Sequence, residues 1–241
     1  MALMTARKPP VPVAVALPGA GSGAAFMSEL FGPAAAKAGL PFVPVDPDPN
    51  AVRASYEQAL DDAAREHGPV LVCGFSIGSH IGADWASRHP DQCAGVLACL
   101  PAWLGDPSGA AAAENAKHTA KLLREQGLEH SLRAMQAGSP PWVAHRLTLS
   151  WTAQWPGLPS AFDEVSRTAV PTEAALRALS APVVLGAALG DPVHPAEAAR
   201  HWLAVLPRGA IVERDFAEVG LDPSAFGHAV FETWSTKFLR L

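Results

Sequence analysis

Short apolar runs alternate along the chain with longer stretches of helical composition. Helices are predicted where amphipathic stretches end at a glycine or a proline, as at Gly39, Gly68 and Pro90. Strands that are apolar throughout and separated by helices are typical of a parallel sheet covered on both faces. The pattern therefore predicts an α/β protein with a mostly parallel sheet of about six strands. The predicted strands span residues 11–17, 42–45, 70–73, 94–100, 183–189 and 210–212, and the main predicted helices span 24–38, 51–66, 77–88, 196–206 and 228–239.

The alternation stops after Pro101. From about 106 to 180 the sequence shows helical pieces at 110–126, 128–136 and 172–179 around a middle rich in proline and tryptophan, with no convincing buried strand. An insertion between two strands of a parallel sheet is carried at the carboxyl edge of that sheet. We therefore expect one compact domain, with residues 1–102 and 181–241 as the α/β core and 103–180 as a small helical cap.

A Gly-x-Ser-x-Gly run, residues 74–78, lies between a predicted strand and a predicted helix. A serine on so sharp a turn takes a strained backbone conformation, and Gly74 and Gly78 keep neighbouring atoms from clashing there. The turn exposes the Ser76 hydroxyl at the carboxyl edge of the sheet. This context predicts that Ser76 is a nucleophile.

A serine nucleophile needs a base, and the base needs an acid that orients it. Asp191 follows an apolar strand, so it faces the same edge as Ser76, although an aspartate before a proline also starts turns. His228 follows the last predicted strand and is the favoured base; the alternative is that it is simply an exposed or a helix-packed histidine. His194, only three residues after Asp191, is the rival base: the two could hydrogen-bond each other, but it would be difficult for His194 to reach Ser76 as well.

Two backbone N–H groups are candidates for an oxyanion hole, which stabilises negative charge on the substrate oxygen. Ile77 would supply one from the turn, and Ala20 in the glycine-rich loop 18–23 would supply the other. That loop matches neither a dinucleotide fingerprint nor a phosphate-binding P-loop. The residues predicted to line a substrate pocket are Phe75, Trp103, Trp142, Trp151 and Trp155. The alternative for the four tryptophans is that they only pack the interior of the cap.

Charge and cysteine content limit the classes of binding partner and the compartment that we expect for this protein. The formal net charge is −5 and there are no Lys/Arg runs, which argues against nucleic acid and an anionic membrane. The three cysteines lie in or beside apolar segments without metal-ligand spacing, which fits a reduced, cytoplasmic protein. Arg7 and Lys8 before an apolar run resemble a secretory signal, but the prolines in that run favour a first buried strand.

The chain resembles the α/β-hydrolase family over almost its whole length. The motifs that carry the resemblance lie at residues 17–22, 74–78, 190–195 and 226–228. The resemblance implies Ser76, Asp191 and His228 as the catalytic triad and Ala20 and Ile77 as oxyanion donors. Pro18-Gly19 stands where the family usually has His-Gly. The composition, rich in alanine, proline and glycine, is similar to that of actinobacterial members.

These features together predict a serine hydrolase without a cofactor or metal, which cleaves an ester or thioester of a small to medium apolar acyl group through an acyl-enzyme on Ser76. Two alternatives stay open at this point. One is acyl transfer or thioesterase action on an intermediate bound to an acyl carrier protein in secondary metabolism. The other is a non-catalytic ligand-binding protein of the same fold. The sequence is compatible with a monomer and with a homodimer.

Overall fold

The computed structural model of the protein describes residues 11–238. Arg7 and Lys8, which precede the first predicted strand, lie outside the described residues, as does Leu239 at the end of the last predicted helix. Among the described residues, no helix has the length and apolar character needed to cross a bilayer.

A single sheet of six strands organises the core, and every neighbouring pair of strands in it is parallel. The inner strands are buried along almost their whole length, which is why their sequences read as continuous apolar runs. The predicted α/β fold class is confirmed. Along the chain the strands are β1 (Val13–Leu17), β2 (Phe42–Pro44), β3 (Val70–Phe75), β4 (Cys93–Cys99), β5 (Val183–Leu189) and β6 (Gly209–Asp215). In the sheet they lie in the order β2-β1-β3-β4-β5-β6.

Helices cover both faces of this sheet and divide the apolar core into two layers. Residues such as Leu30 and Trp234 pack in one layer, and Tyr56, Ile81 and Trp202 pack in the other. The first layer contains helices α1 (Ala24–Lys37) and α10 (Pro223–Phe238); the second contains α2 (Val52–His67), α3 (Ile77–Arg88) and α8 (Ala196–Val205).

Four helices lie between β4 and β5, in the stretch predicted to form the cap. They are α4 (Ala111–Gly138), α5 (Pro141–Gln154), α6 (Leu158–Val165) and α7 (Glu173–Ala178). Helix α4 bends at Gly127, whose φ is 74°, and this bend separates the two helical pieces that the sequence predicts. Helices α5 and α6 pack on α4, whereas α7 packs on α3 and α8 of the core. A further short helix, α9 (Phe216–Leu221), connects β6 to α10.

Candidate active site

The nucleophile turn has the backbone geometry that the glycine spacing predicts. Ser76 lies between β3 and α3 with φ 51° and ψ −121°, a conformation that costs a non-glycine residue about 1–3 kcal/mol. A Cβ atom on Gly74 would stand 2.5 Å from the Ser79 Cα, and one on Gly78 would stand 2.1 Å from the Leu17 carbonyl oxygen. Only glycine therefore fits two residues before and two residues after the serine.

A chain of two hydrogen bonds connects the serine to a histidine and an aspartate. The Ser76 Oγ lies 2.9 Å from the Nε2 of His194. The Nδ1 of the same ring lies 3.0 Å from the Asp191 Oδ2. This is the geometry in which an imidazole can take a proton from a hydroxyl while a carboxylate orients the ring.

The loop after β5 supplies both the acid and the histidine. Asp191 Oδ1 accepts hydrogen bonds from the backbone N–H groups of Val193, at 2.8 Å, and His194, at 3.1 Å. Gly190 precedes them with φ 82°, a conformation that favours glycine. The Asp191 carboxylate thus folds the loop with one oxygen and holds the imidazole with the other. The compact turn lets a histidine near the end of β5 reach a serine at the end of β3, two strands away and about 10 Å across the sheet.

Hydrogen bonding keeps Asp191 in its charged form. The side chain is only 4% exposed, and burial alone would raise its pKa. The hydrogen bonds and positive charge of His194, with the two backbone N–H groups, outweigh burial and lower the pKa of Asp191 below its ordinary value. An ionised Asp191 accepts a hydrogen bond from the Nδ1–H of His194, so the proton stays on Nδ1 and Nε2 is free to accept the hydroxyl proton of Ser76.

The structure does not bring His228, the favoured base in the sequence, to Ser76. This residue lies in α10, where its Nδ1 bonds to the Ser224 carbonyl at 3.0 Å, and it does not line the cavity that contains Ser76. A Cβ atom on the adjacent Gly227 would stand 1.8 Å from the Leu30 carbonyl oxygen, so this part of α10 is packed tightly against α1. Helix α9 separates the end of β6 from α10 and displaces His228 from the sheet edge. The rival residue His194 occupies the position beside Ser76.

Comparison with protein-family profiles gave no match, and neither did comparison with curated protein sequences. Solved structures do match. An esterase from Thermogutta terrifontis superposes with a TM-score of 0.70 at 18% identity, over 95% of this chain and 91% of that one. The chain has the α/β-hydrolase fold. Two further solved structures share this fold. An enol-lactonase from Burkholderia xenovorans has a TM-score of 0.66 at 16% identity, over 98% of this chain and 94% of that one. A monoacylglycerol lipase from Paleococcus ferrophilus has a TM-score of 0.62 at 19% identity, over 94% of this chain and 96% of that one.

Within this α/β-hydrolase fold, the loop after β1 lies directly against Ser76. A Cβ atom on Gly19 would stand 3.2 Å from the Ser76 Cβ. The next residue, Ala20, lines the cavity, while Ile77 is the first residue of α3. Within residues 11–238, neither the Ala20 nor the Ile77 backbone N–H donates a hydrogen bond to another protein group. Both remain candidates for the oxyanion donors.

Helix α5 of the cap holds this loop through two carbonyl groups. The Ser150 hydroxyl donates a hydrogen bond to the Gly21 carbonyl, and the Gln154 amide donates one to the Ser22 carbonyl at 2.9 Å. The two side chains are four residues apart and therefore share one face of the helix. No local sequence pattern predicts this contact, because it depends on how the cap packs on the core.

A cavity of about 430 Å³ opens above Ser76, between the sheet edge and the cap. Its wall is mostly apolar and aromatic. Four of the five predicted pocket residues line it, whereas Trp155 does not: this tryptophan ends α5 and is 40% exposed. The four predicted residues in the wall are Phe75, Trp103, Trp142 and Trp151; aromatic residues that sequence reasoning missed are Phe26, Phe162 and Phe216.

The cysteines and acidic residues show no arrangement for a metal. Within the described part of the chain, no group of three or more His, Cys, Asp or Glu side chains is arranged to bind an ion. Cys73, Cys93 and Cys99 are free thiols. Burial raises the pKa of Cys93 to about 12, so this thiol is protonated at neutral pH.

Proposed function

We propose that this protein is a serine hydrolase that cleaves an ester or thioester of a small to medium apolar acyl group. The observation that carries the proposal is the continuous Ser76–His194–Asp191 hydrogen-bond chain at the floor of an apolar cavity. A strained turn exposes the nucleophile, and a base and an oriented acid stand within hydrogen-bond distance of one another. Each part has a stated role in acyl transfer to a serine.

In the first half of the reaction, the Ser76 Oγ attacks the substrate carbonyl carbon as its proton passes to the Nε2 of His194. The carbonyl π electrons move to the oxygen, which accepts hydrogen bonds from the Ala20 and Ile77 N–H groups. The C–O or C–S bond then breaks, and His194 returns the proton to the leaving alcohol or thiol. The acyl group remains on Ser76 as an ester.

In the second half, water takes the place of the alcohol. His194 removes a proton from the water as its oxygen attacks the acyl carbon, and the same proton returns to the Ser76 Oγ when the acid leaves. Asp191 remains ionised throughout and stabilises the imidazolium that forms twice in each cycle. One water is consumed, and the enzyme is regenerated.

The cavity supports the substrate class. A volume of about 430 Å³ falls within the usual range for small-ligand pockets, and the aromatic wall favours an apolar group. The matching solved structures from Thermogutta terrifontis and Burkholderia xenovorans are called an esterase and an enol-lactonase, which agrees with chemistry at a carboxylic ester. We place this activity in the cytoplasm, because the three free cysteines fit a reducing compartment.

The test is a panel of p-nitrophenyl esters and acyl thioesters of increasing chain length, assayed with wild type and Ser76→Ala. We expect hydrolysis by wild type, best for medium apolar acyl groups, and a loss of about 10³-fold or more in Ser76→Ala. Each substrate is also assayed with a carrier protein or a competing alcohol as acyl acceptor. Turnover that needs the acceptor would replace hydrolysis by acyl transfer, and a folded wild type without turnover on any of them contradicts the proposal.

A further inference from the structure

One stripe of helix α4 forms part of the cap wall of the cavity. Ala112, Ala116, Thr119 and Leu122 recur at helical spacing and all line the cavity. Three of these side chains are apolar, as expected for a wall that contacts an apolar substrate. Thr119 places a hydroxyl in the middle of that stripe.

The hydroxyl of Thr119 lacks a protein partner. Thr119 is only 8% exposed, yet within the described part of the chain its Oγ1 neither donates nor accepts a hydrogen bond. Other cap threonines behave differently: Thr148 and Thr152 in α5 both donate to the carbonyl four residues earlier, each at 2.7 Å. Because the Thr119 hydroxyl has no protein partner and is open to the cavity, it is free to bond to a group that enters the cavity.

A second buried hydroxyl lines the same cavity from the other side of the α4 bend. Ser131 is 1% exposed and donates its proton to the Gly127 carbonyl at 2.9 Å. Its oxygen retains lone pairs, so it can accept a hydrogen bond. The residues Ala134, Met135 and Gly138 on the same face are apolar or lack a side chain. Of these two hydroxyls, only that of Thr119 has a proton free to donate.

We propose that Thr119 is a specificity-determining residue that donates a hydrogen bond to a ketone or hydroxyl oxygen in the substrate. Ser131 lies in the same wall, and its oxygen can accept a hydrogen bond from a substrate hydroxyl. This oxygen belongs to the part of the substrate that extends from the scissile carbonyl towards the cap, since Ser76 is on the core side and Thr119 on the cap side. The inference rests on the proposed function and narrows it to oxygenated acyl groups.

The test compares p-nitrophenyl octanoate with a series of p-nitrophenyl oxo-octanoates that differ only in the position of the ketone. The enzymes are wild type, Thr119→Val, which keeps the shape and removes the hydroxyl, and Thr119→Ser, which restores it. For the best oxo-ester, we expect Thr119→Val to lower kcat/KM relative to octanoate by about three- to tenfold, mainly through KM. Thr119→Ser should recover most of that ratio.

Thermal unfolding separates this role from a packing role. Because the hydroxyl has no partner in the folded chain, Thr119→Val should unfold at the same temperature as wild type or higher. Ser131→Ala loses a hydrogen bond within the protein and should unfold at a lower temperature. An unchanged ratio of oxo-ester to octanoate in Thr119→Val overturns the inference, as does a wild type that favours none of the oxo-esters. If wild type hydrolyses no ester at all, the proposed function fails instead.

Discussion

His80, a buried histidine of α3, makes the stability of the fold depend on pH. Its side chain is completely buried and connects the residue before the cap to a segment within it: Nδ1 donates to the Val170 carbonyl at 2.8 Å, and Nε2 accepts from the Ala102 N–H at 2.9 Å. Protonated Nε2 would face the Ala102 donor and lose that bond. Burial lowers the pKa of His80 to about 3.

The sign and size of the effect follow from linkage. Above pH 6.5, the ordinary histidine pKa, His80 is neutral in both the folded and the unfolded chain. As the pH falls below 6.5, only the unfolded chain takes up the proton, so the free energy of unfolding decreases until the pH reaches about 3. This contribution amounts to about 2 kcal/mol between pH 7 and pH 5, and to about 5 kcal/mol over the whole window.

The measurement is urea unfolding of wild type and His80→Gln at pH 5, 6 and 7, monitored by tryptophan fluorescence. Glutamine does not titrate, so the variant keeps every other pH-dependent group and lacks this one. We expect His80→Gln to be less stable at pH 7, because it disturbs two buried hydrogen bonds, and to draw nearer to wild type by about 2 kcal/mol at pH 5. A difference between the two proteins that stays constant from pH 7 to pH 5 refutes the reasoning.

Three further predictions concern the site and its supports. Asp191→Asn keeps an oxygen for the loop N–H groups but cannot hold the correct imidazole tautomer, so kcat should fall by about 10⁴-fold with little change in Tm. Asp191→Ala removes that oxygen as well and should also lower Tm. Equal activity of Asp191→Asn and wild type contradicts this prediction. Gly78→Ala should destabilise the fold by about 3 kcal/mol in urea unfolding, because its Cβ would overlap the carbonyl at the end of β1, and an unchanged midpoint would count against it. Ser150→Ala should lower kcat about tenfold with KM unchanged, because the loop that carries Ala20 is released, while the matched control Thr152→Ala on the same helix should match wild type.

The fold could be predicted because local and global signals agree. Strands buried on both faces read as apolar runs, and the stops at Gly39 and Pro90 lie just beyond the observed helices α1 and α3. The cap was harder. Prolines between helical pieces favour irregular connections, yet Pro141 and Pro159 each lie in the first turn of a helix, where the missing N–H carries no cost.

The turn that contains Ser76 was predictable, and the histidine that lies beside it was not. The glycines two residues before and after Ser76 predict the sharp turn from the sequence alone. The prediction of His228 rested on where a histidine usually follows the last strand, and nothing local showed that α9 would intervene. Equally, the tight turn that Asp191 imposes on its own loop is a tertiary feature, so a separation of three residues looked too short for His194 to reach the serine.

The most direct test of the site is labelling by a fluorophosphonate probe, which reacts with an activated serine. The proteins are wild type, Ser76→Ala, His194→Ala and the matched control His228→Ala, each checked for folding by circular dichroism. We predict that wild type and His228→Ala label at similar rates, that Ser76→Ala does not label, and that His194→Ala labels at least about 10²-fold more slowly. Labelling of His194→Ala at the wild-type rate, or loss of labelling in a folded His228→Ala, contradicts the account.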